Sequence, residues 1–141
     1  MRTMTRRGFT LIELMLVIMI IATLAALVVP KFTGRAEQAK VTAAQSDIQV
    51  NIPTALDLYE LDNGFYPSTE QGLAALRDQP STAPVPAKWS GPYLKRKPLD
   101  PWGNAYHYQS PGSHNPNSYD LFSYGKDGAE GGKDDVTNWD E

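Results

Sequence analysis

The chain has 141 residues and no cysteine, and its formal net charge is −3. This length favours one domain, and the missing cysteines exclude disulfide bonds and thiolate metal sites. Three of the 13 basic residues, Arg2, Arg6 and Arg7, precede Phe9, so the rest of the chain carries 10 basic against 16 acidic residues. That acidic balance argues against nucleic acid as the main partner.

The first predicted element is an apolar helix from Phe9 to Val29, close to the roughly 20 residues that cross a bilayer. A secretory signal has a shorter apolar stretch and a small-residue cleavage site, which Val28-Val29-Pro30-Lys31 does not provide. We therefore predict a membrane anchor. The arginines before it place its N-terminus in the cytoplasm by the positive-inside rule, a bias that Lys31 and Arg35 weaken.

A carboxylate, Glu13, stands inside this apolar helix. A charged side chain at the centre of a bilayer costs roughly 3 kcal/mol, and such residues usually mark function. The alternative is that Glu13 lies near the headgroups and extends its carboxylate towards water.

The stretch from Gly8 to Glu13, Gly-Phe-Thr-Leu-Ile-Glu, closely resembles the processing site of the type IV pilin superfamily. The resemblance implies that a prepilin peptidase removes residues 1–8 by cutting between Gly8 and Phe9, and that Phe9 is then methylated on its new amino terminus. It also implies that Glu13 meets the terminal amine of a neighbouring subunit. Such a pair favours addition in the correct register, because either charge left alone in a filament core is penalised.

The helical pattern continues beyond Pro30, which should end or kink the first segment. Pro53 predicts a second kink or a bulge near Asn51, and Asn63-Gly64 predicts a stop. Apolar residues recur at helical spacing on one face. They are Val41, Ala44, Ile48, Ile52, Ala55 and Tyr59.

Shorter elements follow. Ser68 to Gln71 reads as a capping box that leads into a helix through Leu76, and Trp89 pins a proline-rich loop. Alternating residues predict two antiparallel strands, Ala105–Gln109 and Tyr119–Tyr124. A small sheet packed on the helix stripe gives an α+β fold.

Four blocks of the sequence resemble the major pseudopilins of type II secretion, the general secretion pathway protein G family. They are Leu56–Gly64, Tyr66–Leu73, Asp100–Asn104 and Asp134–Trp139. The resemblance implies a type IV pilin-like α+β fold with a long N-terminal helix, a small antiparallel sheet and a calcium-binding C-terminal loop. Residues 9–30 would then form the transmembrane and filament-core helix, and residues 31–141 a periplasmic domain.

The function implied is that of an inner-membrane protein that polymerises into a periplasmic pseudopilus and helps export folded proteins across the outer membrane. Its partners would be further copies, minor pseudopilins, the inner-membrane assembly platform and the prepilin peptidase. Two alternatives stay open: a pilin-like subunit of a competence or type IV pilus system, and a membrane-tethered binding module.

Nothing in the sequence indicates catalysis. His107 and His114 lack partners at metal-ligand spacing, and no Gly-x-Ser-x-Gly elbow occurs. Gly132-Lys133 is followed by Asp134, which rules out a phosphate-binding loop. We predict that the protein is not an enzyme.

The acidic tail, residues 127–135, holds four carboxylates and three glycines. It is either a solvated turn or a metal site; its spacing is not that of an EF-hand, and hard oxygen ligands suit calcium. The match to the calcium loop of the major pseudopilins implies that the ion ties Trp139 back to the sheet, with Glu130 facing solvent. The implied ligands are the carboxylates of Asp127 and Asp134, the weaker candidate Asp135, and backbone carbonyls near Tyr124, Lys126 and Gly132.

Overall fold

The computed structural model of the chain describes residues 8–139. Residues up to Gln38 form one compact unit, and those from Ala39 onward form a second. The helical elements are α1 (Leu11–Ser46), a π-helical turn (Asp47–Asn51), α2 (Ile52–Asn63) and a 3-10 helix (Gly72–Leu76). The strands are β1 (His107–Gln109), β2 (Asp120–Ser123) and β3 (Val136–Thr137).

The helix α1 contains the apolar segment and passes Pro30 without ending there. Proline removes one N–H donor, and a single missing donor does not end a helix of 36 residues. The bulge predicted near Asn51 is confirmed by the π-turn, in which the Ile52 N–H bonds to the carbonyl of Asp47, five residues back. Pro53 then lies in the first turn of α2, where its missing donor is tolerated.

The core of the second unit lies along the predicted helix stripe. Five of the six stripe residues are buried, and Val41 is partly buried against them. Side chains from the 3-10 helix and the sheet complete the core: Leu73, Leu76, Tyr106, Tyr119, Leu121 and Val136. The helix α2 ends at Asn63 as predicted, because Gly64 adopts φ +84°, a conformation that glycine accepts without steric cost.

The capping box at Ser68 is confirmed. The Ser68 N–H donates to Gln71 Oε1 at 3.1 Å, and the Gln71 N–H donates to Ser68 Oγ at 3.2 Å. A 3-10 helix follows it rather than an α-helix. Trp89 pins the proline-rich loop as predicted, since its Nε1 donates to the carbonyl of Ala75 at 2.9 Å.

The sheet is antiparallel, with strand order β1-β2-β3. His107 pairs with Phe122, which also pairs with Thr137 on the other side. The fold is therefore α+β, as expected. The first strand is shorter than predicted because Ala105 forms only an isolated bridge with Leu99. The third strand was not predicted, since two residues carry no alternation.

Candidate functional site

The apolar helix has no cover within the described chain. Residues Leu11–Val28 have a mean hydropathy of 2.8, and none is buried. By length and composition this stretch could cross a membrane. Gly8 and Phe9 are exposed just before it, whereas the remainder of the predicted leader lies outside the described residues.

Glu13 closes a capping box with Thr10 at the start of α1. Its Oε2 accepts the Thr10 N–H at 2.8 Å and the Thr10 hydroxyl at 2.9 Å, and the Glu13 N–H donates to Thr10 Oγ1 at 3.3 Å. Two N–H groups that a helix leaves unbonded at its first turn are thus satisfied. Sequence reasoning missed this role, although Thr-x-x-Glu before an apolar run is its signature.

Three carboxylates of the acidic tail converge. Asp127, Asp134 and Asp135 each offer an oxygen, and these atoms lie within 4.8 Å of one another. Like charges at this separation repel, so the cluster favours a bound cation. Glu130 is exposed and does not belong to the cluster.

The cluster closes around Gly132. A Cβ atom there would lie 2.6 Å from Asp134 Oδ1, 3.2 Å from Asp127 Oδ2 and 3.4 Å from Asp135 Oδ1. Only glycine leaves this space open. Asp135 Oδ1 is also buried and accepts no hydrogen bond within the described part of the chain. A buried carboxylate oxygen without a donor is costly, and a metal ion would satisfy it.

Backbone donors hold Asp134 in place. Its Oδ2 accepts the N–H of Lys126 at 2.7 Å and that of Asp127 at 3.1 Å. The bond from Asp127 is the main cause that lowers the pKa of the Asp134 carboxyl, and it outweighs desolvation. Asp134 is therefore ionised at neutral pH, the form that binds metal.

The residues just before the acidic loop are held in place by a turn elsewhere in the chain. The buried Asp100 carboxylate accepts the N–H groups of Trp102 and Asn104, at 3.1 and 2.8 Å, and the hydroxyl of Ser123 at 2.6 Å. That hydroxyl oxygen accepts the Gly125 N–H at 3.1 Å. The turn at Asp100 thus supports the residues that lead into the acidic loop.

The tail after the loop returns to the sheet. Asn138 Oδ1 accepts the Leu121 N–H at 2.9 Å, and Asn138 Nδ2 donates to the carbonyl of Tyr119 at 3.0 Å. The Trp139 ring stacks on His114 with centroids 4.0 Å apart. The other histidine, His107, stacks on Phe122 at 5.0 Å.

Asp120 organises the loop between β1 and β2, a role that sequence reasoning missed. The carboxylate is buried and accepts the N–H groups of Ser113, His114 and Asn115 at 2.7 to 2.9 Å. Burial acts to raise the pKa of Asp120, but these N–H bonds and the His114 ring outweigh it and keep the pKa below its usual value. The available signal was an aspartate following a loop rich in glycine, serine and asparagine.

The family model described as "Type II secretion system (T2SS), protein G" matches residues 31–139. The chain belongs to this protein G family. The model described as "Prokaryotic N-terminal methylation motif" matches residues 3–29. Together the two models cover the apolar helix and the domain that follows it.

Relatives named type II secretion system core protein G match most of this chain. The type II secretion system core protein G of Pseudomonas aeruginosa is 52% identical, with 99% of each chain covered. That of Escherichia coli K12 is 50% identical over 95% of this chain and 91% of its own. The crystal structure of the major pseudopilin of enterohaemorrhagic E. coli is similar, with a TM-score of 0.67 and 40% identity over 75% of this chain and 87% of that one.

These matches assign the protein G chain to type II secretion, and they favour this assignment over the competence and type IV pilus alternatives. Its fold is that of a pseudopilin, and the family consists of structural subunits. One apolar N-terminal helix together with a methylation motif fits a membrane-anchored pseudopilin.

Proposed function

We propose that this chain is the major subunit of a pseudopilus, a polymer whose growth helps move folded proteins across the outer membrane. The observation that carries the proposal is an apolar helix with 18 residues unburied, joined in one chain to a pseudopilin domain. Apolar surface of this extent is unfavourable in water. The helix needs lipid around it before assembly and other copies around it afterwards.

Processing precedes assembly in this proposal. The prepilin peptidase cuts between Gly8 and Phe9, and Phe9 is methylated. The exposure of both residues and the match to the methylation motif support this order. The cut chain sits in the inner membrane with Phe9 on the cytoplasmic side and the domain from residue 31 onward in the periplasm.

Glu13 then serves as the partner of a neighbour's terminal amine. Both bonds from Thr10 go to Oε2, so among the described residues Oε1 accepts none. The amine of a neighbouring copy could therefore bond to Oε1 while the capping box with Thr10 stays intact. The pairing would be strong in a dry filament core.

We also propose that the acidic loop binds calcium with Asp127, Asp134 and Asp135. Among the described residues the cluster consists of three carboxylates and includes no His or Cys, and oxygen ligands suit a hard cation. The cradle at Gly132 and the unpartnered Asp135 Oδ1 support the fit. Backbone carbonyls near Tyr124, Lys126 and Gly132 would complete the shell. The bound ion would join the two ends of the loop and so stabilise the domain.

Assembly involves further components in this account: minor pseudopilins, the inner-membrane platform and the prepilin peptidase. The chain itself contributes no reaction, so the energy for growth comes from elsewhere. The pseudopilus extends into the periplasm from the inner membrane.

The test is a gene replacement in a bacterium that secretes a folded enzyme through its own type II system. Deleting the chain should abolish the enzyme's activity in the medium, and restoring the full chain should recover it. A version that begins at residue 31 behind a cleavable signal peptide should accumulate in the periplasm and restore nothing. Secretion that persists after the deletion, or that the helix-free version restores, would contradict the proposal.

A further inference from the structure

Two pairs in the sequence place a glycine directly after an asparagine or aspartate, Asn63-Gly64 and Asp127-Gly128. Such pairs can rearrange without an enzyme, because the glycine nitrogen can attack the side-chain carbonyl carbon before it and no Cβ stands in the way. In a free peptide the asparagine pair reacts faster at neutral pH, since ammonia leaves more readily than water. The two pairs differ in how the fold holds them.

Asn63 is kept from this reaction by the end of α2. Its Nδ2 donates to the carbonyl of Tyr59 at 2.9 Å, and its Oδ1 accepts the N–H of Lys88 at 3.3 Å. The Gly64 N–H donates to the carbonyl of Glu60 at 2.6 Å. Attack by the Gly64 nitrogen would break these hydrogen bonds, each of which contributes to stability. Folding therefore protects this pair.

The Asp127 pair lies open in the acidic loop. Both residues are exposed, and a Cβ placed on Gly128 would meet nothing within 4 Å among the described residues other than its chain neighbours. The Gly128 N–H donates no hydrogen bond within the same part of the chain. The Ala129 N–H donates to Asp127 Oδ1 at 2.9 Å. The carboxyl carbon of Asp127 and the nitrogen of Gly128 thus belong to one ring that a single hydrogen bond closes.

The rearrangement needs no reagent except water. The Gly128 nitrogen bonds to the carboxyl carbon of Asp127, and the N–H proton leaves together with the carboxyl hydroxyl as water, so that a cyclic succinimide forms. Water then opens this ring. Opening at the former side-chain carbonyl restores aspartate, whereas opening at the main-chain carbonyl gives isoaspartate, in which the backbone runs through the former side chain.

The oxygen that leaves is one that the proposed calcium site would hold. Asp127 offers an oxygen within 4.8 Å of those of Asp134 and Asp135, and its Oδ2 lies 3.2 Å from a Cβ placed on Gly132. A carboxylate that coordinates a cation in this cradle can neither turn towards Gly128 nor release an oxygen. Isoaspartate in turn carries its carboxylate directly on the main chain, too short to reach the cluster.

We propose that Asp127-Gly128 is a site of spontaneous isoaspartate formation, that calcium in the loop protects it, and that a subunit left without calcium loses the metal site covalently. The inference rests on the calcium site proposed above. If only loops without metal react, calcium at about 100 times its dissociation constant should slow the reaction about a hundredfold.

The experiment ages the purified full-length chain in detergent at neutral pH. One sample contains a chelator, a second contains calcium, and a third contains the chelator with guanidinium chloride. Conversion at Asp127 and at Asn63 is followed over weeks by peptide mapping with electron-transfer fragmentation, which distinguishes isoaspartate from aspartate. The melting temperature with and without added calcium is measured on the same folded samples.

In the chelator we expect Asp127 to convert faster than Asn63, and in guanidinium chloride the order should reverse. Calcium should suppress conversion at Asp127 about a hundredfold and leave Asn63 unchanged. Aged chains should lose the calcium-dependent rise in melting temperature in proportion to their isoaspartate. Protein isoaspartate methyltransferase with its methyl donor should restore the rise, because this enzyme returns isoaspartate to aspartate.

Equal conversion of Asp127 in calcium and in chelator, in samples whose melting temperature rises with calcium, would overturn the inference and leave the metal site standing. Slower conversion of Asp127 than of Asn63 in the folded, chelated chain would overturn it as well. A melting temperature of the fresh chain that does not respond to calcium would instead contradict the metal site, and the inference would fall with it.

Discussion

At Glu13 one carboxylate caps its own helix and also carries a charge into the apolar segment. The two roles can be separated, because glutamine also forms a capping box but has no charge. We expect Glu13→Gln and Glu13→Ala both to insert into the membrane at least as well as the wild type, since each removes a desolvation cost. Both should fail to form fibres. Wild-type fibre yield from Glu13→Gln would reduce the role of Glu13 to capping.

Asp120 is a buried carboxylate whose charge should matter for the stability of the domain. Asp120→Asn would place an amide group among three N–H donors and should cost about 2 kcal/mol at neutral pH. Urea unfolding of the variant beside Asp78→Asn, an exposed aspartate, measures this cost. The control should lie within about 0.5 kcal/mol of the wild type.

The same carboxylate predicts a pH dependence. Its pKa is lowered in the folded state, so its stabilisation is fully present above its unfolded pKa of about 3.9. That stabilisation is lost as the pH falls through the lower folded value. Between pH 6 and pH 3 the wild type should therefore lose more stability than Asp120→Asn. Parallel losses in the two proteins would contradict the assigned role.

At the scale of elements, the acidic loop predicts a calcium response that depends on one glycine. At a calcium concentration of 100 times the dissociation constant, binding to the folded state alone adds about 2.7 kcal/mol. The melting temperature of the wild type should rise accordingly when calcium replaces a chelator. Gly132→Ala should abolish the rise without removing a ligand, because its Cβ would crowd Asp134 Oδ1.

Glu130→Ala is the matched control for that loop. It removes a carboxylate outside the cluster, so the calcium response should survive. A full rise in the melting temperature of Gly132→Ala, or an equal loss of the rise in both variants, would contradict the prediction. The calcium response would then depend on the overall negative charge of the loop and not on the open space at Gly132.

Elements with local causes could be predicted from the sequence. The capping box at Ser68, the bulge caused by Pro53 and the stop at Gly64 each depend on neighbouring residues only, and each is present. The third strand could not be predicted, because Val136 and Thr137 become a strand only by pairing with β2.

The candidate metal site could likewise be predicted only in part from the sequence. Composition and resemblance indicated the acidic tail, but the support of the residues that lead into it depends on a contact distant in sequence. The Asp100 carboxylate accepts a hydrogen bond from the hydroxyl of Ser123, which lies 23 positions later in the chain. The same hydroxyl oxygen accepts the N–H of Gly125. The orphaned oxygen of Asp135 is likewise visible only once the loop is closed.

At the scale of the whole molecule, one chain joins two parts that need different surroundings, an apolar helix and a domain with its own core. The apolar helix presents its side chains outward, whereas the domain buries its own stripe. A protein of this kind is stable only with the helix in lipid or among other helices. In the function proposed above, polymerisation moves the helix from lipid to a bundle of other helices, and processing at Gly8 precedes that move.

The intact mass of the subunit in purified fibres tests this account most directly. Fibres should form, and their subunit should begin at Phe9 with one added methyl group. Gly8→Arg should leave the full-length chain in the inner membrane and yield no fibres. Fibres built from chains that still carry Met1 to Gly8, or an abundant processed chain that never enters fibres in the presence of the secretion apparatus, would contradict the account.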